Sequence, residues 1–353
     1  MRFGVSRVLD AIEARLTLDP ALVRGVLDLS EVVRLVDLDG DTAKPATLLR
    51  VGRVVDALAQ HLAEDGVAVY VVAHRALLSD LDLTSNERMV LRRWADDGLV
   101  EVLESVGDRV LQVAELLGVP ILSRQMFPEY AESYPWLPTG LLAPAAAGLS
   151  TVRDGIPGPP RNQVMTRLWR CPEPACTGYG VPTGAQPPPW LRAAAPTCPR
   201  HETRLVEAGP RPAARVLAVR VDGAVRGRFV VREAAPVVVG RAPVPTGAGA
   251  AVTLGPLLGD EAMRWVSRSH LRLELRGQTL VVTDTSTNGT SVRTPEGPVP
   301  LMTGQSYGLG EDDVIELYQG VELGRPTRFH GGAAQPVSVM AEAPTVSLRL
   351  PRH

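Results

Sequence analysis

Apolar and polar positions alternate with two different periods along this chain, and the change between them divides it. Near the start, Val5, Val8, Leu9, Ile12 and Leu16 recur at helical spacing with Arg7, Asp10, Glu13 and Arg15 between them, which predicts an amphipathic helix. Val26–Leu29 is a short apolar run that ends at an acidic residue, and Val51 to Ala63 returns to helical periodicity. The run VAVYVV at 67–72 predicts a buried strand, and Thr84 and Glu87 have capping-box spacing at the head of a helix that reaches Trp94. Leu99–Leu103 then reads as a strand, Asp108–Leu117 as a helix capped by that Asp, and Val119–Leu122 as the next strand. Strands alternating with helices predict an α/β domain with a parallel, doubly wound sheet over residues 1–137.

The helical period is lost after that. Residues 138–167 are rich in Pro, Gly and Ala without period and read as a linker, and a cysteine-bearing block follows at 168–206. From Val216 to Tyr318 the apolar runs are short: LAVRV (217–221), RFVV (228–231), PVVVG (236–240), LRLEL (271–275), TLVVTD (279–284) and VIELY (314–318), with turn residues between them. Short strands with no helical run predict an all-β sandwich over 214–330, and the tail 331–353 reads as disordered.

Composition alters this picture little. With 353 residues, 45% hydrophobic and 22% charged, the chain has material for two or three folded units. The formal charge of −2 gives no global attraction to nucleic acid or anionic lipid. No window approaches the roughly 18 uninterrupted apolar residues of a membrane helix, and the first residues carry no export signal. A cytoplasmic protein is expected, and the richness in Ala, Arg, Pro and Val resembles a high-GC bacterial proteome.

Three motifs fall, in order, on predicted loops of the C-terminal region: Gly240-Arg241, then Ser267-Arg268-Ser269-His270, then Asp284-Thr285-Ser286-Thr287-Asn288-Gly289-Thr290. They resemble the GR, SxxH and NG signatures of the forkhead-associated (FHA) family, which reads phosphothreonine. The chemistry suits that reading, because a phosphate dianion calls for a fixed cationic fork. Arg241 would supply the fork, Ser267 a hydroxyl and Arg268 a second cation. By resemblance, Asn288 clamps the ligand backbone, Thr287 lines the phosphate site, and His270 is an internal strut between loops. Gly240 and Gly289 are structural, the latter in a tight turn. The segment between Arg241 and Ser267 is longer than the family's usual interval and is expected to be a mobile loop beside the cleft.

The three cysteines lie in one block. Cys171-Pro-Glu-Pro-Ala-Cys176 and Cys198-Pro-Arg-His201 form two close-set ligand pairs whose spacing resembles a zinc ribbon. Four protein ligands imply structural Zn²⁺, whose binding would supply folding free energy to a block of about 40 residues.

In the first domain, the string Val26-Leu27-Asp28-Leu29-Ser30-Glu31-Val32, the segment Gly107-Asp108-Arg109-Val110 and Ile121-Leu122-Ser123-Arg124-Gln125 resemble PIN/NYN-type ribonuclease domains. Those enzymes gather carboxylates around Mg²⁺ or Mn²⁺ to cleave RNA. The resemblance makes Asp28 and Asp108 the candidate catalytic carboxylates. This chain departs from the pattern at Gln125, where an acid is expected, and at Ala73-His74-Arg75 after the VAVYVV strand, although Glu31, Asp80 or Asp82 are at hand. Asp108 also reads simply as a helix N-cap, and the aromatics Phe127, Tyr130, Tyr134 and Trp136 as packing.

Two functions remain open from sequence. One is a signalling adaptor that binds a phosphothreonine protein, a Ser/Thr kinase or its substrate. The other is an FHA-recruited, metal-dependent ribonuclease. Thr345 in the tail is a candidate phosphorylation site for the protein's own reader.

Overall fold

The structure, a computed structural model, describes residues 2–151, 162–245, 249–326 and 338–342. Thr345 lies outside the described residues.

The first domain opens with α1 (Arg2–Glu13), β1 (Val23–Asp28), α2 (Leu29–Val32), α3 (Leu49–Leu62) and β2 (Ala68–His74). It continues with α4 (Ser85–Asp96), β3 (Val100–Leu103), α5 (Gly107–Leu117) and β4 (Ile121–Leu122). Thr84 and Glu87 form the expected capping box at α4, satisfying two N-terminal amides reciprocally. The strands pair in the order β3-β2-β1-β4, all parallel. Successive residues of β1 face opposite sides: Leu27 joins one apolar core and Val26 the other, so both faces are covered.

The linker reading fails at its start. Residues of that segment form α6 (Leu137–Gly140), β5 (Leu141–Ala145) and β6 (Gly148–Thr151), and the last two extend the same sheet. Leu141 and Leu142 pair in parallel with β4, whereas Pro144 lies beyond that ladder, where its missing N–H costs nothing on that side. Asp108 is likewise not an N-cap. Val106 holds that position without a side-chain bond, and Asp108 lies within α5.

The cysteine-bearing block consists of β7 (Arg167–Arg170), β8 (Trp190–Arg192), β9 (Ala195–Thr197) and β10 (Val206–Pro210), paired as β7-β10 and β8-β9. It docks on the first domain through a buried arginine. Arg109 donates to Glu101 at 2.9 Å and to the carbonyls of Pro188 and Pro189 at 2.7 and 2.9 Å. Tyr70 and Trp190 also donate to Glu101, at 2.5 and 2.8 Å. Burial works against the Arg109 charge, and Glu101 more than offsets it, so its pKa is raised.

The C-terminal region is a two-layer sandwich. It contains β11 (Ala214–Val221), β12 (Ala224–Arg232), β13 (Val237–Gly240), β14 (Ala250–Thr253), α7 (Asp260–Trp265), β15 (Leu271–Arg276) and β16 (Thr279–Asp284). It is completed by β17 (Thr290–Thr294), β18 (Gly297–Leu301), β19 (Ser306–Leu309), β20 (Val314–Tyr318) and β21 (Val321–Gly324). One sheet runs β12-β11-β21-β20-β17-β18 and the other β14-β13-β15-β16-β19. Their inner faces share a core that includes Leu217, Val239, Leu271, Val282, Ile315 and Leu323. Of the segment between Arg241 and Ser267, expected as a mobile loop, residues 246–248 lie outside the described residues, and the rest carries β14, parallel to β13, and the short helix α7.

Two ion pairs join sandwich and first domain. Arg232 grips Asp19 with contacts of 2.5 and 2.6 Å, and Glu64 accepts from Arg24 at 3.2 Å and Arg228 at 2.6 Å. Burial opposes the Glu64 charge, but the two guanidiniums hold its carboxyl below the ordinary value. Part of the tail is ordered as well. Residues 338–342 return to the first domain, where the Asp56 carboxylate accepts from Ser338 Oγ at 2.5 Å and Val339 N at 2.7 Å and Val339 enters the core.

Candidate functional site

Three loops at one end of the sandwich meet around Ser267. Its carbonyl accepts from Arg241 N at 3.0 Å, at the end of β13, and its hydroxyl lies 3.2 Å from Thr287 Oγ1 in the β16–β17 loop. Thr287 N also donates to Ser267 Oγ at 3.2 Å. Asn288 Nδ2 donates to the Trp265 carbonyl at 2.8 Å, tying the same loop to the end of α7. Arg268 is exposed and has no side-chain partner among the described residues. Arg241 donates through Nη1 to the Met263 carbonyl at 3.1 Å, while its buried Nε has no partner among the described residues.

The backbone leaves little freedom here. A Cβ at position 240 would lie 2.1 Å from the Arg268 carbonyl oxygen, so only glycine lets β13 approach that loop. Gly289 has φ of +86°, the left-handed region that turns the chain into β17. His270 is fully buried and connects the loops. Its Nδ1 accepts from Ser267 N at 3.0 Å, so Nε2 carries the proton that meets the Gly289 carbonyl at 3.2 Å. Burial lowers the His270 pKa, with Asp284 acting in the opposite sense, and the imidazole stays neutral. Held this way, it is a strut with no access to a substrate.

Residues 237–318 match the model of the FHA domain family. This part of the chain is an FHA domain. Among solved structures, the chain is similar to the FhaA FHA domain complexed with the intracellular domain of Rv3910, at 29% identity over 31% of this chain and 97% of that one, with a TM-score of 0.21. It is also similar to the FHA domain of human APLF in complex with an XRCC1 bisphospho peptide, at 22% identity over 30% of this chain and 97% of that one, TM-score 0.22. An FHA domain from an Arabidopsis thaliana hypothetical protein aligns at 22% identity over 34% and 92%, TM-score 0.24. No curated protein matches the chain.

Upstream of the FHA domain, Cys171, Cys176, Cys198 and His201 bring one ligand atom each within 4.8 Å of one another. Cys176 and Cys198 sulfurs are 3.7 Å apart, and His201 Nδ1 lies 3.4 Å from Cys171 Sγ and 3.6 Å from Cys198 Sγ. A tetrahedron with metal–sulfur bonds of about 2.3 Å has edges of roughly 3.8 Å, close to these three separations, and all four atoms lie within 4.8 Å of one another, which suits a four-coordinate ion. The cysteines are free and buried. Tyr179 N points at Cys176 Sγ at 3.4 Å, and a Cβ on Gly180 would strike the Cys176 carbonyl oxygen at 2.4 Å, so the ligand turn depends on that glycine. This group can hold a metal ion.

In the first domain the strand order reverses between β1 and β4, the place where doubly wound sheets bind ligands at the carboxyl ends of their strands. Asp28 stands there, but it caps α2 by accepting from Ser30 N at 2.8 Å. Burial raises its pKa, the Ser30 amide works against that, and the neighbouring Glu31 adds to it. Glu31 accepts from Ser123 Oγ at 2.6 Å and Arg124 N at 2.7 Å, and the Arg124 guanidinium clasps Asp37 at 2.9 and 2.6 Å. Asp80 is paired with Arg34. Asp108 accepts from Gln112 at 2.6 Å and from Tyr134 OH at 3.3 Å. The structure does not bring Asp28 and Asp108 into a metal-ligating group of three or more among the described residues. The aromatic run packs edge to face, Tyr130 on Tyr134 and Tyr134 on Trp136.

Sequence reading overlooked Trp265, Glu261 and Tyr318 beside the FHA loops. Glu261 and Trp265 belong to α7 and Tyr318 to β20, and no motif spacing links a short helix to a strand so far downstream.

Proposed function

We propose that this chain is a phosphothreonine-dependent binding protein, an adaptor in bacterial Ser/Thr kinase signalling, whose partner is a phosphorylated kinase or kinase substrate. The observation that carries this reading is the convergence of Arg241, Ser267 and Thr287, with Arg268 and Asn288 at the rim, inside an FHA domain. The Nη2 of Arg241, which has no hydrogen-bond partner among the described residues, and the free guanidinium of Arg268 leave donors available for phosphate oxygens, and charge-assisted bonds of this kind are about twice as strong as neutral ones. The Ser267 and Thr287 hydroxyls would complete the oxyanion shell, and Asn288 would hold the peptide backbone. A titration with labelled phosphothreonine, phosphoserine and threonine versions of one peptide tests this. Micromolar binding of the first, weaker binding of the second and none by Arg241→Ala are expected; equal binding of the unphosphorylated peptide would contradict it.

The ribonuclease alternative is less well supported. Glu31 and Asp37 are committed to Ser123 and Arg124, and the Arg124 guanidinium, bonded to Asp37 and the Pro144 carbonyl, sets a positive charge beside these carboxylates. We assign the α/β domain, whose resemblance to PIN domains rests on its sequence motifs, to a scaffolding or interaction role.

For the cysteine block we propose structural Zn²⁺ on Cys171, Cys176, Cys198 and His201. The ion would fix two turns that the block's small core, chiefly Tyr179 and Leu205, does little to restrain. Elemental analysis of protein purified without added metal should give one zinc per chain, falling below one tenth in Cys198→Ser; a folded, zinc-free wild type would refute the assignment.

A further inference from the structure

The FHA surface is electrically divided. The phosphate end offers Arg241 and Arg268, but immediately beyond Asn288 the surface sinks into a groove of about 540 Å³ whose lining includes Glu261, Trp265, Glu316 and Tyr318 and contains no lysine or arginine. Trp265, half exposed, stacks on Tyr318 with ring centroids 6.0 Å apart and planes at 14°. Tyr318 OH donates to Glu261 at 2.6 Å, which fixes that carboxylate at the aromatic wall. The Glu316 carboxylate has no hydrogen-bond partner among the described residues, and the nearby cation Arg293, which also feels the Glu316 charge, is paired with Glu322 at 2.7 Å.

An anionic, aromatic groove is matched by a cationic side chain, since a guanidinium or ammonium is drawn both to a ring face and to carboxylates. The groove is continuous with the phosphate site, because Asn288 lines it and holds the Trp265 carbonyl, while its neighbour Thr287 touches Ser267. Trp265 lies two residues before Ser267, a Cα separation of at most about 7 Å, and the groove runs on to Tyr318, whose ring centroid is 6.0 Å from that of Trp265, so the reach from phosphate into the groove corresponds to about two to four residues of an extended peptide at about 3.3 Å each.

We propose that this groove is a specificity subsite for a lysine or arginine two to four residues from the phosphothreonine of the bound peptide. The assignment rests on the phosphopeptide reading given above and adds the partner's second feature: a ligand with a dianion at one end and a cation at the other. Trp265 and Tyr318 would pack the aliphatic stem of the side chain, and Glu261 and Glu316 would face its charge.

The test uses the full-length protein and alanine-rich phosphothreonine peptides in which a single arginine is moved through the four positions on either side of the phosphothreonine. Fluorescence anisotropy should find a position at which arginine binds about tenfold more tightly than alanine, and glutamate there more weakly than alanine. The arginine-to-alanine ratio should fall toward one in Glu261→Gln/Glu316→Gln. Peptides that all bind with phosphate dependence but with no preference among arginine, alanine and glutamate would overturn the subsite and leave the phosphothreonine reading intact. Binding that ignores the phosphate would overturn both.

Discussion

The crevice at the carboxyl ends of β1 and β4 and the loop end of the FHA sandwich both collect charged residues on a rigid sheet, yet they treat those charges in opposite ways. In the crevice, Asp28 caps a helix, Glu31 is bonded to Ser123 and the Arg124 amide, and Asp37 is clasped by Arg124. In the FHA loops, Arg268 has no side-chain partner and Arg241 keeps a buried Nε unbonded among the described residues. Buried, unpartnered nitrogens also occur at Arg228 and Arg272, so it is the unpartnered, exposed guanidinium of Arg268 beside the loop hydroxyls that singles out this end of the sandwich. Internal neutralisation marks a scaffold, and unspent donors mark a site.

The sharpest break in this comparison is a pair of arginine removals. Arg241→Ala should weaken phosphothreonine-peptide binding at least about 100-fold, the loss of charge-assisted bonds to a dianion, whereas Arg124→Ala should leave it within about twofold. Isothermal titration of both variants decides it; comparable losses would mean the phosphate is not read where the loops meet.

A smaller effect separates the regions by metal. Wild-type protein should show no Mn²⁺ binding tighter than about 1 mM in the crevice, because Asp28 and Glu31 serve backbone amides and Arg124 opposes a second cation there. Arg124→Ala, which releases Asp37, should gain measurable Mn²⁺ relaxation of nearby nuclear resonances. Tight Mn²⁺ binding by wild type, abolished by Asp28→Asn, would restore the nuclease reading.

The smallest expected effect concerns pH. His270 has a folded-state pKa below its ordinary value of about 6.5, so as pH falls through that value the unfolded chain takes up a proton that the folded one resists. The stability present above about pH 6.5 is therefore lost on acidification, with a slope of at most about 1.4 kcal/mol per pH unit, until the folded pKa is reached. Denaturant midpoints between pH 7.5 and 5.5 should fall in wild type and less in His270→Gln; parallel profiles would exclude His270 as the cause.

Much of this was legible from the residues, for reasons specific to each. Strands such as β15 and β16 alternate or run apolar and announce themselves, and the FHA signatures lie on loops where their spacing is fixed by the chemistry they share. Weak patterns were lost. β17 buries only one apolar side chain, Val292, besides Thr290, and β18 contains two prolines, tolerated because it is the edge of its sheet. β5 was hidden by Pro144 in a run of small residues, and α7, six residues long, has no side-chain cap to signal it. The Trp265–Tyr318 wall could not be read at all, since only the folded sandwich brings those positions together.

The most direct measurement of the central claim is the ¹⁵N–¹H resonance of the Arg241 side chain, assigned by comparison with Arg241→Lys, during titration with a phosphothreonine peptide. The Nε–H signal should shift markedly as a phosphate oxygen bonds the outer nitrogens of the same guanidinium, and the threonine version of the peptide should leave it unmoved. A phosphopeptide that binds without disturbing that resonance would contradict the account.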